Sequence, residues 1–376
     1  MSAYIKVAVL VLASGFGALS MAKDLAIGSK VGYYDPSQIA PNTSNTSAPS
    51  NWRMTDGQLF NGVRMDGVAR IAFDSDGSLN NGSYICSGTL LGGGQYVLTA
   101  AHCADNFNVM SVQFGVYNNV AKVTSAVEQA YVHPKWDGSL GTGADIAIIK
   151  LSAPVSNIQG FNISTTNDLG KTMLITGYGS TTTGSSQSGS NWNDWGWGHW
   201  AYNDADVSGR QLDAAWDPGN SYTYFGEEYL FDFDNGTQTN NALARVGEQF
   251  GVNWDSNTGQ GANEGLIAGG DSGGADFVWN GTEWLISGVH SYGYYSLCTS
   301  AGVTPTCDTS VGAGGANGDW GNNTSFGDVS GSTAVYAQAE WINSVINAPV
   351  PEPTTWALML AGVGLMGCVS RRRRQD

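Results

Sequence analysis

Gly269-Gly270-Asp271-Ser272-Gly273-Gly274 decides how this chain is read. A serine set between glycines is an alcohol that backbone and a bound molecule can both approach closely, and glycine permits the turns that expose it. At neutral pH a serine hydroxyl is a weak nucleophile. It becomes reactive when a neighbouring imidazole takes its proton and a carboxylate orients that imidazole. The chain has four histidines, and His102 ends the apolar run Val97-Leu98-Thr99-Ala100-Ala101-His102-Cys103, a stiff mount for a base. Asp145 opens Asp145-Ile146-Ala147-Ile148-Ile149-Lys150-Leu151, whose nearly all-apolar body reads as a buried strand. A carboxylate at the mouth of such a strand is partly desolvated and holds an imidazole in one tautomer.

Taken in that order, the three segments resemble the chymotrypsin and trypsin family of serine proteases, over roughly residues 59 to 346. The resemblance implies Ser272 as nucleophile, His102 as base and Asp145 as its orienting carboxylate, with the N–H groups of Gly270 and Ser272 forming an oxyanion hole. It implies a protein or peptide substrate, cut through an acyl-enzyme, with no cofactor and no metal. It also places Leu266 on the floor of the primary pocket and Ser291-Tyr292-Gly293 along its wall. An apolar floor offers Arg or Lys no counter-charge, so the expected preference is for apolar or aromatic side chains. Leu59-Phe60-Asn61-Gly62-Val63 resembles the family's mature N-terminus, whose α-amino group inserts beside the aspartate preceding the nucleophile, here Asp271; Gln58 stands where Arg or Lys is usual.

The implied fold is all-β: two six-stranded antiparallel barrels packed together, closed by a C-terminal helix. The residues agree. Between Ala69 and Thr176, short apolar runs such as Ile71-Ala72-Phe73 and Val112-Gln113-Phe114 alternate with Gly, Asn, Asp and Ser at spacings typical of barrels and sandwiches. The second barrel is expected from about Gly177-Tyr178-Gly179. Val335, Ala339, Ile342 and Ile346 recur at helical spacing. Residues 180–250 fit poorly and read as a long insertion in the second half, opening on a Ser/Thr/Gly-rich patch. There Asn191-Trp192-Asn193-Asp194-Trp195-Gly196-Trp197-Gly198-His199-Trp200 reads as an aromatic cluster under a loop, or as a sugar- or peptide-binding surface. Asp232-Phe233-Asp234-Asn235-Gly236 and Asp74-Ser75-Asp76-Gly77 have the alternating oxygens of calcium loops but no distant Glu at the required offset, so they read as acidic turns.

The chain of 376 residues is 41% hydrophobic and carries 16 Lys+Arg against 32 Asp+Glu. It presents no basic face for nucleic acid. Met1 to Ala22, with Lys6, an apolar run and Ser20-Met21-Ala22, reads as a secretory signal. Residues 23–58 are polar and turn-rich and read as a pro-segment or linker, ahead of a protease domain at 59–348. Export suits the cysteines, because an oxidising compartment lets the near pairs Cys86/Cys103 and Cys298/Cys307 close. Residues 349–376 combine Val350-Pro351-Glu352-Pro353, the apolar run Trp356 to Val369 with Cys368 inside it, and Arg371 to Arg374. This tail resembles the PEP-CTERM sorting signal, which implies transient membrane anchoring through a short transmembrane segment, cutting by an exosortase-type enzyme, and release to the cell surface, extracellular matrix or medium.

Two other readings compete. Gly270-Asp271-Ser272-Gly273-Gly274 also fits the elbow of α/β hydrolases, but that class places its Asp and His after the serine and needs long helices. The second is a non-enzymatic surface or matrix-binding protein built on the same fold.

Overall fold

The computed structural model describes residues 30–33, 49–74, 84–184, 194, 196–254, 256–267, 269–294, 297–308 and 326–348. The expected signal peptide, the sorting tail with Cys368, Asp76 and Gly77, Trp192, Trp195 and Ala268 lie outside them. The strands in chain order are β1 (Lys30–Tyr33), β2 (Val68–Asp74), β3 (Tyr84–Leu90), β4 (Tyr96–Thr99), β5 (Val109–Tyr117), β6 (Val120–Val132), β7 (Ala147–Leu151), β8 (Asn162–Ile163), β9 (Thr172–Gly177), β10 (Ser180–Thr183), β11 (His199–Asp204), β12 (Val207–Ser208), β13 (Glu228–Asp232), β14 (Gly265–Leu266), β15 (Ala275–Trp279), β16 (Trp284–Tyr294) and β17 (Val329–Ala334). The helices are α1 (Gly209–Trp216), α2 (Ala242–Phe250), α3 (Leu297–Ala301) and α4 (Ala339–Ile346).

β2 to β7 close into a six-stranded barrel in the order β2-β3-β4-β7-β6-β5. Every pairing in it is antiparallel. The cause is patterned apolar sequence: along β2 the side chains alternate so that Ala69, Ile71 and Phe73 are buried, and Val112 and Phe114 of β5 meet them inside. The second half is a sheet in the order β11-β9-β15-β16-β17-β13-β12, with β8 alongside β16. This sheet is the second of the two expected units and forms a half-barrel, since among the described residues it does not close. Its apolar face carries Met173, Ile175, Phe231, Phe233 and Val278.

The insertion expected at 180–250 is largely sheet. β11 pairs with β9 along its whole length, and β13 pairs with β17. Short strands separated by Gly, Asp and Trp gave too little periodicity to be seen. Between them α1 starts on a capping box, Ser208 accepting from Gln211 N–H while the Gln211 side chain accepts from Ser208 N–H. α2 starts on Asn241 and stops at Gly251, whose φ of 75° suits the left-handed end of a helix.

The boundary expected at residue 58 also moves. Trp52 is buried in the core of the second sheet, Met54 N–H bonds Gly198 O at 2.7 Å, and Arg53 bridges to His199. Arg53 Nε donates to Asp194 Oδ2 at 2.8 Å, with a second guanidinium contact to Oδ1, and the guanidinium lies 4.6 Å from the Trp197 ring. Residues 51–58 therefore belong to the folded body. The Trp-rich run holds them there: Trp197 and Trp200 pack against Tyr117, Phe60 and Tyr202, which is the aromatic-cluster reading.

Candidate active site

The barrel register brings the first two groups together. Thr99 at the end of β4 pairs with Ala147 at the start of β7, so the residues just beyond, His102 and Asp145, are neighbours although 43 positions apart. The Cys86–Cys103 disulfide pins the His102 turn to β3. His102 N–H donates to Asp145 Oδ1 at 3.0 Å, and Nδ1 lies 2.7 Å from Oδ2. Ser291 on β16 donates its hydroxyl to the same Oδ2 at 2.5 Å. Thr333 on β17 donates to the Asp145 carbonyl at 3.1 Å. The carboxylate is thus buried between barrel and sheet with the His102 N–H, Nδ1 and the Ser291 hydroxyl aimed at it, so Nδ1 carries the proton and Nε2 is left as the basic nitrogen. Burial pulls the His102 pKa down, but the Asp145 charge and hydrogen bond outweigh it and the net shift is upward.

Ser272 lies in the turn between β14 and β15. Gly274 N–H closes the turn onto Asp271 O at 2.7 Å. Gly270 and Gly273 have φ of 92° and 79°, which side chains rarely adopt. A Cβ on Gly273 would lie 2.1 Å from Thr99 Oγ1 and 2.5 Å from Ser87 O, so the turn is pressed against β3 and β4. Ser87 N–H donates to Ser272 O at 2.7 Å, and Ser87 Oγ donates to Gly270 O at 2.7 Å while accepting from Tyr178 N–H at 2.9 Å. The carbonyl oxygen of Ser272 is 3.6 Å from Sγ of Cys103, the residue after His102. Nε2 of His102 has no hydrogen-bond partner in this state, so no hydrogen bond joins it to the Ser272 hydroxyl. Such contacts commonly tighten only when substrate is bound.

The sequence did not reveal two bracing residues. One is Ser87. The other is His290 on β16, whose carbonyl accepts from Gly273 N–H and whose N–H donates to Gly274 O, both at 2.9 Å. Its ring touches Asp271 O through Nδ1 (3.1 Å) and Asp276 Oδ1 through Nε2 (2.9 Å). Both partners are acceptors, so both nitrogens serve best as N–H donors. Burial opposes the imidazolium, yet Asp276 and Asp271 raise the His290 pKa overall. Neither residue stands in a recognisable motif; Ser87 acts on Gly270 O from 183 positions away and His290 on Asp276 from 14.

The expected pocket residues divide. Ser291 faces Asp145, and Gly293 pairs with Ser330. Tyr292 lies against Gly331, where a Cβ would come within 2.3 Å of its ring, and its hydroxyl donates to Glu228 Oε2 at 3.1 Å. Leu266 is fully buried in the core of the second sheet with Trp52, Ile175 and Phe231. The intact chain also leaves Leu59 exposed, with Asp271 accepting from Gly179 N–H at 2.8 Å. The second disulfide, Cys298–Cys307, ties α3 to the loop after it. Among the described residues, the groupings of three potential metal-binding atoms within 4.8 Å are Cys86-His102-Cys103 and Cys298-Cys307-Asp308, and their cysteines are spent in disulfides.

Residues 64–194 match the Trypsin family model and residues 349–374 match the PEP-CTERM protein-sorting motif. The segment that matches the Trypsin model includes His102 and Asp145 and ends before Ser272, and the match to the sorting motif lies near the C-terminal end. It is 36% identical to trypsin II-P29 of Gallus gallus over 112 residues, 28% of this chain and 44% of that protein. It is 40% identical to chymotrypsin-C of Rattus norvegicus over 77 residues, 19% of this chain and 28% of that one. The chain therefore aligns with less than half the length of these relatives. A solved structure of HL collagenase overlays at a TM-score of 0.46 and 16% identity, covering 78% of this chain and all of that one. Among the described residues no helix is long and apolar enough to cross a membrane.

Proposed function

We propose that the protein is an exported serine endopeptidase that cleaves peptide bonds through Ser272, His102 and Asp145. The observation that carries the reading is the buried carboxylate of Asp145, which holds His102 by both its backbone N–H and Nδ1 while Ser291 covers it from the other sheet. In the reaction the Ser272 oxygen attacks the scissile carbonyl and His102 Nε2 takes its proton. The same proton is returned to the leaving amine, and Asp145 steadies the intervening imidazolium. The N–H groups of Gly270 and Ser272 stabilise the oxyanion, typically by about 3 kcal/mol each. Water then repeats the sequence on the acyl-enzyme.

The preferred side chain before the scissile bond is apolar or aromatic. The wall strand brings no open carboxylate to pair with Arg or Lys: Glu228 beneath Tyr292 is bonded to Tyr292 and Gly143, and burial pushes its pKa up to about 8, so it is neutral at pH 7. The PEP-CTERM match supports export, transient anchoring by the tail, and processing by an exosortase-type partner.

Labelling with a fluorophosphonate tests the chemistry, since only an activated serine reacts. Wild type should label and Ser272→Ala should not; equal labelling of the two, or none of wild type, removes the catalytic reading and leaves a non-enzymatic protein on this fold.

A further inference from the structure

Four buried acids that catalysis does not use, and the half-buried Asp206, come together at one place. Asp204 ends β11, Asp206 precedes β12, Asp232 ends β13, Asp234 follows two residues later and Glu264 precedes β14. Asp232, Asp234 and Glu264 are 0%, 3% and 0% exposed. Each has one oxygen anchored or packed and one left over. Asp232 Oδ2 accepts from Leu243 N–H at 2.8 Å at the start of α2, and Glu264 Oε2 accepts from Gln260 N–H. Asp232 Oδ1, Asp234 Oδ1 and Glu264 Oε1 are buried with no hydrogen-bond partner. Gly259 shows that two of these acids share one space, because a Cβ there would meet Asp234 Cβ at 2.7 Å and Glu264 Oε2 at 2.9 Å. Asp204 is accounted for separately, its oxygens accepting from Thr172, Asn257 and Gln260.

Buried carboxylates without a counter-charge are costly. No cation among the described residues forms an ion pair with any of these acids; the charged neighbours that act on Asp234 are Asp232, Glu264, Asp206 and Asp204. The group must be neutralised by protons or by a cation. We infer that Asp232, Asp234 and Glu264, with Asp206 beside them, form a calcium site. The donors are all hard oxygens, which suits calcium over zinc or copper, and an irregular set of carboxylates suits calcium's flexible shell over magnesium's octahedron.

The sequence reading dismissed Asp232-Phe233-Asp234 for want of a distant Glu. The fold supplies one: Glu264 is brought to this edge by its bridge to Tyr202 on β11. As they stand, the free oxygens are not gathered within the 4.8 Å of a closed ligand set, so the ion would draw them inward by side-chain rotation. Its effect would be to tie the end of β13 to the segment that enters β14 and then the Ser272 turn. This inference stands whether or not Ser272 is catalytic.

The test uses the full chain, treated with chelator and dialysed, and titrated with calcium chloride by calorimetry, with thermal unfolding in parallel. One calcium should bind with a Kd at or below about 1 mM, the weak end of extracellular sites, and saturation should raise Tm by roughly 5 °C. Asp234→Asn and Glu264→Gln keep the shape, relieve repulsion and should each weaken binding at least tenfold. No heat and no Tm shift in wild type would overturn the inference. So would variants that bind like wild type, or a wild type stabilised by acid to the same extent with and without calcium.

Discussion

Replacing Asp145 by Asn keeps size and shape and removes only the charge and one pair of acceptor sites. Oδ1 accepts the His102 backbone N–H, and Oδ2 accepts from His102 Nδ1 and the Ser291 hydroxyl. An amide can place oxygen at only one of these positions. With oxygen facing the backbone N–H, the NH2 group faces Nδ1 and forces the imidazole into the tautomer with its proton on Nε2, so it cannot accept a proton from Ser272. With the amide reversed, two N–H donors collide at the His102 backbone. The Ser291 hydroxyl can turn to accept from NH2, which favours the first arrangement. The expected loss is the tautomer penalty known for such triads, about 10⁴-fold in kcat, or about 5 kcal/mol of transition-state stabilisation. Burst kinetics with a chromogenic peptide ester and the rate of fluorophosphonate labelling measure it. Ser291→Ala is the control: it removes one donor but leaves the His102 pair, and should cost about tenfold. Asn at 145 reacting within tenfold of wild type would refute the proposed roles of both residues.

His102 must be neutral to act, and its pKa is raised above 6.5, so the acid limb of the kcat/KM pH profile should have its midpoint above that value. His290 also has a raised pKa; its stabilisation is complete below 6.5 and is lost as pH rises through the folded value, so denaturant titrations of His290→Asn and wild type should converge at alkaline pH. Glu228 has a folded pKa of about 8 against 4.5, so wild-type stability should fall by a few kcal/mol between those pH values, and Glu228→Gln should flatten that slope. Gly273→Ala forces a Cβ to 2.1 Å from Thr99 Oγ1 at φ 79° and should lower stability by about 3 kcal/mol or prevent folding, read as Tm or soluble yield. Arg53→Ala leaves Asp194 without its guanidinium partner and should cost about 1 to 3 kcal/mol, seen in urea unfolding.

The His102–Asp145 pair and the first barrel were legible because their signals are local. Val97 to Thr99 and Ala147 to Leu151 are dense apolar runs, and one pairing between them sets His102 against Asp145. The near cysteine pairs were legible for the same reason. Ser87 and His290 were not, because a bracing side chain has no pattern of its own and acts on backbone far away in the sequence. β11 and β13 were hidden in a stretch whose glycines, aspartates and tryptophans obscure a period of two. The acid group was unreadable as a unit, since its members come from segments up to 60 positions apart that only the sheet aligns.

Asp145 is covered from the opposite sheet by Ser291 and Thr333. The pair of imidazole and acid is therefore enclosed only when both halves are folded together: a fragment carrying the two alone would leave the acid wet and its partner loosely held. An unfinished or clipped molecule would lack the enclosed pair on which the proposed chemistry rests.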